Sequence, residues 1–102
     1  MKFCRLNEEH VVFNCPGCEC GHMIRISGAH PCWEWNGNLE NPTVSPSIRV
    51  TYPANPKALE EFKEWRFERT CHMFVKEGKI QFLDDCTHLL KGQTVEVPDW
   101  ES

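Results

Sequence analysis

The sequence contains no run of apolar residues close to the ~20 that a helix needs to cross a bilayer. Residues 1–5 also lack the apolar stretch that is typical of a secretory signal peptide. We therefore expect no membrane association and a cytoplasmic location, which is the host cytosol if a phage encodes the chain.

Clusters of basic residues are missing as well. The 11 Lys and Arg residues are scattered among 15 Asp and Glu residues, and the formal net charge is −4. Proteins that bind nucleic acid neutralise backbone phosphates with clustered Lys and Arg. The charge pattern therefore disfavours a nucleic-acid partner, and we expect a protein partner or a peptide substrate instead.

A His-x-Glu motif is absent from the chain, which disfavours one class of zinc enzyme. Nucleobase deaminases place that motif before their pair of zinc-binding cysteines. The sequence does contain seven cysteines, and an odd number of thiols cannot all pair in disulfides. In a reducing cytosol, thiolates that hold a metal are the better interpretation.

The run Cys15-Pro16-Gly17-Cys18 is typical of a metal-binding knuckle, because the tight turn points two sulfurs at one place. It supplies half of the four tetrahedral ligands that Zn²⁺ needs. The preferred complete set is Cys15, Cys18, Cys71 and Cys86, in a structural, zinc ribbon-like site. His22 competes as the third ligand and His88 as the fourth. Cys71 and Cys86 are also the kind of small thiol that fills a core without binding metal.

Most of the chain consists of short apolar stretches separated by turns, which predicts one small, mainly antiparallel β domain over residues 1–102. The expected strands are 2–6, 11–14, 22–26, 32–35, 48–52, 71–75, 80–83 and 94–97. One short α-helix is expected near 56–66, because apolar residues recur there at helical spacing after Asn55-Pro56. The segment 41–47 contains two prolines, so we expect an ordered loop outside the sheet. The expected core includes Phe13, Met23, Ile24, Ile48, Phe74 and Phe82.

The segment 71–83 predicts a β-hairpin with Glu77-Gly78 at its turn. Side chains alternate between the two faces of a strand, so Cys71 shares the core face with Cys86 if the strand continues that far. His72 and Asp85 then share the opposite face, as diagonal neighbours ~7–8 Å apart. This register leaves an imidazole and a carboxylate free for chemistry other than metal binding.

Seven blocks of the sequence carry a family resemblance: CPGC (15–18, with His22), WEWNG (33–37), PTVSPS (42–47), CHMFV (71–75, with Gly78), IQFL (80–83), DCTH (85–88) and GQTV (92–95). Together they resemble a family of small zinc-binding proteins of phages and bacteria that mostly carries no assigned function. Members of this family look like proteins encoded beside bacterial ubiquitin-like conjugation genes, and the resemblance implies a serine-protease role. The segment 53–69 departs from the family pattern, because it is longer and more helical.

A Ser-His-Asp triad needs a base within hydrogen-bond reach of the hydroxyl and a carboxylate that orients the base. His72 and Asp85 meet the second requirement on the register of the hairpin. Ser45 and Ser47 are the candidate nucleophiles, with His88 and His22 as alternative bases. The sequence does not place the segment 41–47 beside the hairpin, and both serines are equally suited to capping turns.

Two functions follow from these observations. The first is a zinc-binding protein-interaction module of phage or prophage type that is not an enzyme. The second is a zinc-stabilised serine hydrolase, specifically a peptidase, that uses Ser45 or Ser47 with His72 and Asp85. The distance from a seryl oxygen to an imidazole distinguishes the two.

Overall fold

The chain folds into two antiparallel sheets, described for residues 1–100 in a computed structural model. Residues 101–102 of the predicted domain lie outside the described residues. The first sheet has the order β1-β2-β3, with strands β1 (Phe3–Arg5), β2 (His10–Cys15) and β3 (Cys20–Arg25). The second has the order β4-β5-β6-β7-β8, with strands β4 (Glu34–Trp35), β5 (Val44–Tyr52), β6 (Arg69–Lys76), β7 (Lys79–Phe82) and β8 (Thr94–Glu96). The prediction of a mainly antiparallel β fold is confirmed.

The core lies between the two sheets and takes the inward-facing side chains of both. In the first sheet, the rings of Phe3 and Phe13 stack with their centroids 5.0 Å apart. The buried core residues are Phe3, Val11, Phe13, Cys15, Ile24, Val44, Ile48, Cys71, Met73, Val75, Ile80, Phe82, Cys86 and Val97. Two expected core residues are exposed instead, Met23 at 60% and Phe74 at 44%. Both stand on outward faces, because each alternates with buried neighbours along its strand.

The β6–β7 hairpin has the register that the sequence predicts. Lys76 is paired with Lys79 across the turn, and Met73 is paired with Phe82. Glu77 and Gly78 have φ values of 50° and 79°. Both central residues of a type I′ turn need positive φ, and this turn matches the twist of the two strands that it joins.

The segment 41–47 is not a loop along its whole length, so that prediction is wrong from Val44 onward. Residues 44–47 form the start of β5, and Val44 is paired with Val75 of β6. The register then shifts, and Ile48 is paired with Met73. Residues 45–47 therefore occupy the length that Phe74 alone spans on β6. Such a bulge accommodates Pro46, which has no N–H to donate to a regular ladder.

The predicted helix is present as a 3₁₀ helix over Glu60–Arg66, and none of its residues is buried. Its aromatic residues Phe62 and Trp65 stack on each other with centroids 4.6 Å apart. The guanidinium of Arg69 lies over the rings of both Trp65 and Tyr52, at 5.2 and 4.5 Å. The helix is therefore attached to the end of the larger sheet rather than inserted into the core. Within residues 1–100, no helix has the length and apolar character that crossing a membrane requires.

Candidate functional site

A serine, a histidine and an aspartate form a continuous hydrogen-bonded chain on the outer face of the larger sheet. The Oγ of Ser47 lies 3.0 Å from Nε2 of His72. On the other side of the ring, Nδ1 of His72 lies 3.0 Å from Oδ2 and 3.2 Å from Oδ1 of Asp85. These are the contacts that link a nucleophile, a general base and an orienting carboxylate.

The pairing of β5 with β6 places Ser47 beside His72. Arg49 is the residue paired with His72, so Ser47 is the diagonal neighbour on the same face. Ile48, which follows Ser47, points into the core and fixes the outward direction of its neighbours. The indole N–H of Trp33 also donates to the backbone carbonyl of Ser47 at 3.1 Å.

Asp85 reaches His72 from the chain that leaves β7. The backbone N–H of Leu83 donates to the carbonyl of His72 at 2.9 Å, and the backbone N–H of Cys86 donates back to the carbonyl of Leu83 at 3.2 Å. This turn brings the Asp85 side chain to the outer face. The predicted proximity of His72 and Asp85 is confirmed, whereas their catalytic roles stay a prediction.

The hydrogen bonds define the tautomer of the neutral His72 ring. A carboxylate can only accept, so Nδ1 of His72 carries the ring proton and donates a hydrogen bond to Asp85. The unprotonated Nε2 then accepts from the Ser47 hydroxyl. The His72 side chain is 23% exposed and that of Asp85 is 48% exposed. The ring is therefore held by packing and by two polar partners while it stays accessible from solvent.

Ser45, the other candidate nucleophile, does not take part in this chain. It is paired with Glu34 of β4 and is exposed. Within residues 1–100, its hydroxyl makes no hydrogen bond to an imidazole. The structure therefore brings Ser47, and not Ser45, to a base.

A second cluster lies on the inner side of the same region. The ligand atoms of Cys15, Cys18, His22 and Cys71 all lie within 4.8 Å of one another. The knuckle 15–18 closes the β2–β3 turn, where the backbone N–H of Cys18 points at Cys15 Sγ from 3.4 Å. Cys71 comes from β6, and its Sγ lies 3.8 Å from that of Cys15. Three thiols and an imidazole form a donor set that suits tetrahedral Zn²⁺.

The contacts of His22 fit a metal ligand. Its Nε2 is buried and has no hydrogen-bond partner within residues 1–100. Its Nδ1 lies 3.5 Å from the hydroxyl of Tyr52. An imidazole that binds metal through one nitrogen commonly donates its other N–H to an oxygen, which Tyr52 supplies.

The protonation of the clustered thiols supports the same interpretation. Hydrogen bonds from Cys18 and Cys71 lower the pKa of Cys15 to about 3. The same close contacts with Cys15 and Cys18 raise the pKa of Cys71. Without a cation, these thiols share protons because several adjacent thiolates would repel one another. A bound divalent cation would replace those protons.

Cys86, the remaining member of the preferred ligand set, lies in an overlapping cluster with Cys71 and His88. Its Sγ is 3.2 Å from the backbone N and 3.1 Å from the carbonyl O of His72. The structure groups His22, rather than Cys86, with Cys15, Cys18 and Cys71. The set of four cysteines stays a prediction.

His88 lies beside the cluster of Cys15, Cys18, His22 and Cys71. The backbone N–H of Leu90 donates to its Nδ1 at 3.2 Å, so Nε2 carries the proton of the neutral ring. Nε2 lies 3.4 Å from Cys71 Sγ. Burial lowers the pKa of His88, which favours that neutral form. A Cβ added at Gly17 would overlap the His88 ring, so the knuckle packs directly on it. These contacts suit a His88 ring that donates its Nε2–H to a thiolate better than one that deprotonates a serine.

Sequence reasoning missed two supporting residues, Tyr52 and Trp33, and the extension of β5 that carries Ser47. The sequence does contain a pattern that indicates this extension. Val44 and Ile48, which are both buried, lie four positions apart and flank two polar serines, as residues on the inner face of one strand do. The two prolines outweighed that pattern. Tyr52 and Trp33 act through contacts between distant segments, which local patterns do not reveal.

One protein family matches the chain. The family model described as "Bacterial ubiquitination-like system serine protease (BubE)" matches residues 2–83. Neither the curated proteins nor the solved structures include a match. The matched segment contains Ser47 and His72, and it ends two residues before Asp85.

Proposed function

Because the chain belongs to this family of serine proteases of bacterial ubiquitination-like systems, we propose that it is a serine hydrolase that cleaves peptide bonds. Ser47 is the nucleophile, His72 the general base and Asp85 the carboxylate that orients the base. The observation that carries the proposal is the unbroken hydrogen-bonded chain from Ser47 Oγ through His72 to Asp85.

The hydrogen bonds define a sequence of proton transfers. As Ser47 Oγ attacks the carbonyl carbon of the scissile bond, its proton passes to Nε2 of His72. The Asp85 carboxylate stabilises the imidazolium that forms. His72 then gives the proton to the leaving amine, and an acyl group stays on Ser47. A water molecule, deprotonated by His72, attacks that ester. His72 then returns the proton to Ser47 Oγ as the acid is released.

The cysteine–histidine cluster has a structural role in this proposal. Cys15, Cys18, His22 and Cys71 would hold Zn²⁺, which supplies charge neutralisation and a cross-link between the two sheets. Four protein ligands close a tetrahedral site and leave no position for substrate. Since Cys71 directly precedes His72, its attachment to the knuckle would fix the strand that carries the base.

The family description bears on the substrate. We propose a protein substrate that belongs to a ubiquitination-like system, because that is the setting which the family description names. The alternative, a non-enzymatic interaction module of phage type, stays a prediction. It offers no reason for a serine, a histidine and an aspartate to be aligned on an accessible face.

A fluorophosphonate probe tests the proposal on the zinc-loaded full chain, because such probes react with activated serines. We expect labelling of the unmodified chain and of Ser45→Ala, and none of Ser47→Ala. Ser45→Ala is the matched control, since it lies on the same strand and has no imidazole partner. Equal labelling of all three proteins, or of none, would contradict the proposal.

A further inference from the structure

A shallow groove of about 480 Å³ crosses the outer face of the larger sheet next to the triad. Residues of four of its strands line it, from β5 to β8, together with the residues that flank them. Its lining residues include Ser45, Phe74, Lys76, Glu77 and Lys79. We call this surface the β5–β8 groove.

The groove begins beside the reacting atoms. Ser45 precedes Ser47 by two residues on β5, and Phe74 follows His72 by two residues on β6. Phe74 and His72 share a face, because buried Met73 separates them. Residues two apart on a regular strand, such as His72 and Phe74 on β6, are about 6.5 Å from each other. A peptide whose scissile bond lies at Ser47 would therefore place an adjacent side chain in the groove.

The side chains of the groove combine one apolar surface with unpaired positive charge. Phe74 is 44% exposed, whereas Phe side chains are most often buried. Lys76 and Lys79 face each other across the hairpin and are both exposed. Within residues 1–100, neither lysine makes an ion pair.

Within residues 1–100, neither of the two neighbouring carboxylates, Glu77 and Glu96, forms an ion pair with these lysines. Glu77 lies between them in the turn and forms no ion pair within the described part of the chain. Glu96 is paired with Lys79 on β8, but its carboxylate contacts Lys2 at 3.8 Å. Like charges directly opposite each other destabilise a sheet, so an anionic ligand between the lysines would be favourable.

We propose that the β5–β8 groove is a substrate subsite that binds a peptide segment with an apolar side chain flanked by carboxylates. The apolar side chain would pack on Phe74, and the carboxylates would contact Lys76 and Lys79. The inference rests on the proposed function, because the bound peptide is a substrate only if the chain is a hydrolase. To that function it adds the chemical character of the substrate residues that lie beside the scissile bond.

The test is an NMR titration of the zinc-loaded full chain carrying Ser47→Ala, so that bound peptide is not cleaved. Two blocked peptides are compared, Ala-Glu-Phe-Glu-Ala and Ala-Lys-Phe-Lys-Ala. We expect the acidic peptide to bind about fivefold more tightly than the basic peptide, because two exposed ion pairs contribute about that much to affinity. The amide signals of Phe74, Lys76 and Lys79 should shift most, and added salt should weaken binding.

Charge reversal gives the decisive comparison. Adding Lys76→Glu and Lys79→Glu should reverse the preference between the two peptides. The matched control adds Lys63→Glu and Lys91→Glu, which make the same change in net charge at exposed lysines outside the groove, and it should keep the preference. Equal affinities, shifts confined to other surfaces, or a control that also reverses the preference would overturn the inference.

Labelling of Ser47 by the fluorophosphonate separates this inference from the proposed function. A reactive Ser47 without any peptide preference would overturn the groove proposal and leave the catalytic proposal standing. A clear peptide preference with an unreactive Ser47 would support the groove as a peptide-binding surface and contradict the hydrolase.

Discussion

The thiol of Cys86 contacts both backbone polar groups of His72, with its Sγ 3.2 Å from the N and 3.1 Å from the O. Cys86 is 4% exposed, so solvent does not compete for these contacts. One buried side chain thereby links the turn that carries Asp85 to the strand that carries His72. The alignment of His72 with Asp85 depends on this link as well as on the direct hydrogen bond between them.

Replacement of Cys86 by alanine should therefore weaken both stability and reactivity. Loss of the two contacts leaves a buried N–H without its partner, and we expect the free energy of unfolding to fall by about 1–2 kcal/mol. Denaturant unfolding and the rate of fluorophosphonate labelling measure the two effects. Cys32→Ala is the control, because the one hydrogen bond of its Sγ within residues 1–100 goes to the carbonyl of Trp33, at 4.0 Å. Equal effects of the two substitutions would refute the role of Cys86.

Replacement of Asp85 by asparagine should leave the fold intact and nearly abolish the reaction. The amide can donate to Nδ1 of His72, which favours the tautomer with the proton on Nε2, where it cannot accept from Ser47. We expect the labelling rate of Ser47 to fall by roughly 10³–10⁴-fold. Asp84→Asn, at the adjacent exposed residue, should react at the unmodified rate. A small loss for Asp85→Asn would show that Asp85 does not orient the base.

The ligand set can be decided by zinc content. We expect His22→Gln to lose zinc on dialysis against a weak chelator, because the imidazole of His22 is grouped with the three thiols. Cys86→Ser should retain stoichiometric zinc under the same treatment. Elemental analysis of the two dialysed variants measures the outcome. Loss of zinc from Cys86→Ser together with retention by His22→Gln would instead establish the four-cysteine set.

Removal of the metal should abolish the cooperative unfolding transition. The cluster joins β2 to β6, and in such small domains the free energy of metal binding is also free energy of folding. Thermal unfolding should be broad after chelation and cooperative again after zinc is restored. An unchanged transition in metal-free protein would show that the cluster is not a structural metal site.

The sequence predicts those parts of the site that depend on local register. A two-residue turn at Glu77-Gly78 defines which residues of β6 and β7 share a face, and the outward direction of His72 followed from that alternation. Asp85 lies beyond β7, and the turn after Leu83 brings it to His72. The alternation no longer applies beyond Phe82, where β7 ends. Cys86 lies in the turn that follows, so its position relative to the knuckle could not be obtained by counting residues.

The position of Ser47 was not obtained from the sequence, because the prolines outweighed the strand pattern of the segment 41–47. Pro46 indicated a loop, whereas a bulge opposite Phe74 keeps Ser47 within β5. The approach of His22 to Cys71 joins residues from different sheets. Such contacts arise from packing between distant segments, and they become visible only in the folded chain.

The proposal that Ser47 is the nucleophile and His72 its base is tested by locating the covalent adduct. The zinc-loaded full chain is reacted with a fluorophosphonate, digested and examined by tandem mass spectrometry. We expect a single phosphonyl group on Ser47, lost when His72 is replaced by alanine. An adduct on another residue, or a Ser47 adduct that forms equally fast without His72, would contradict it.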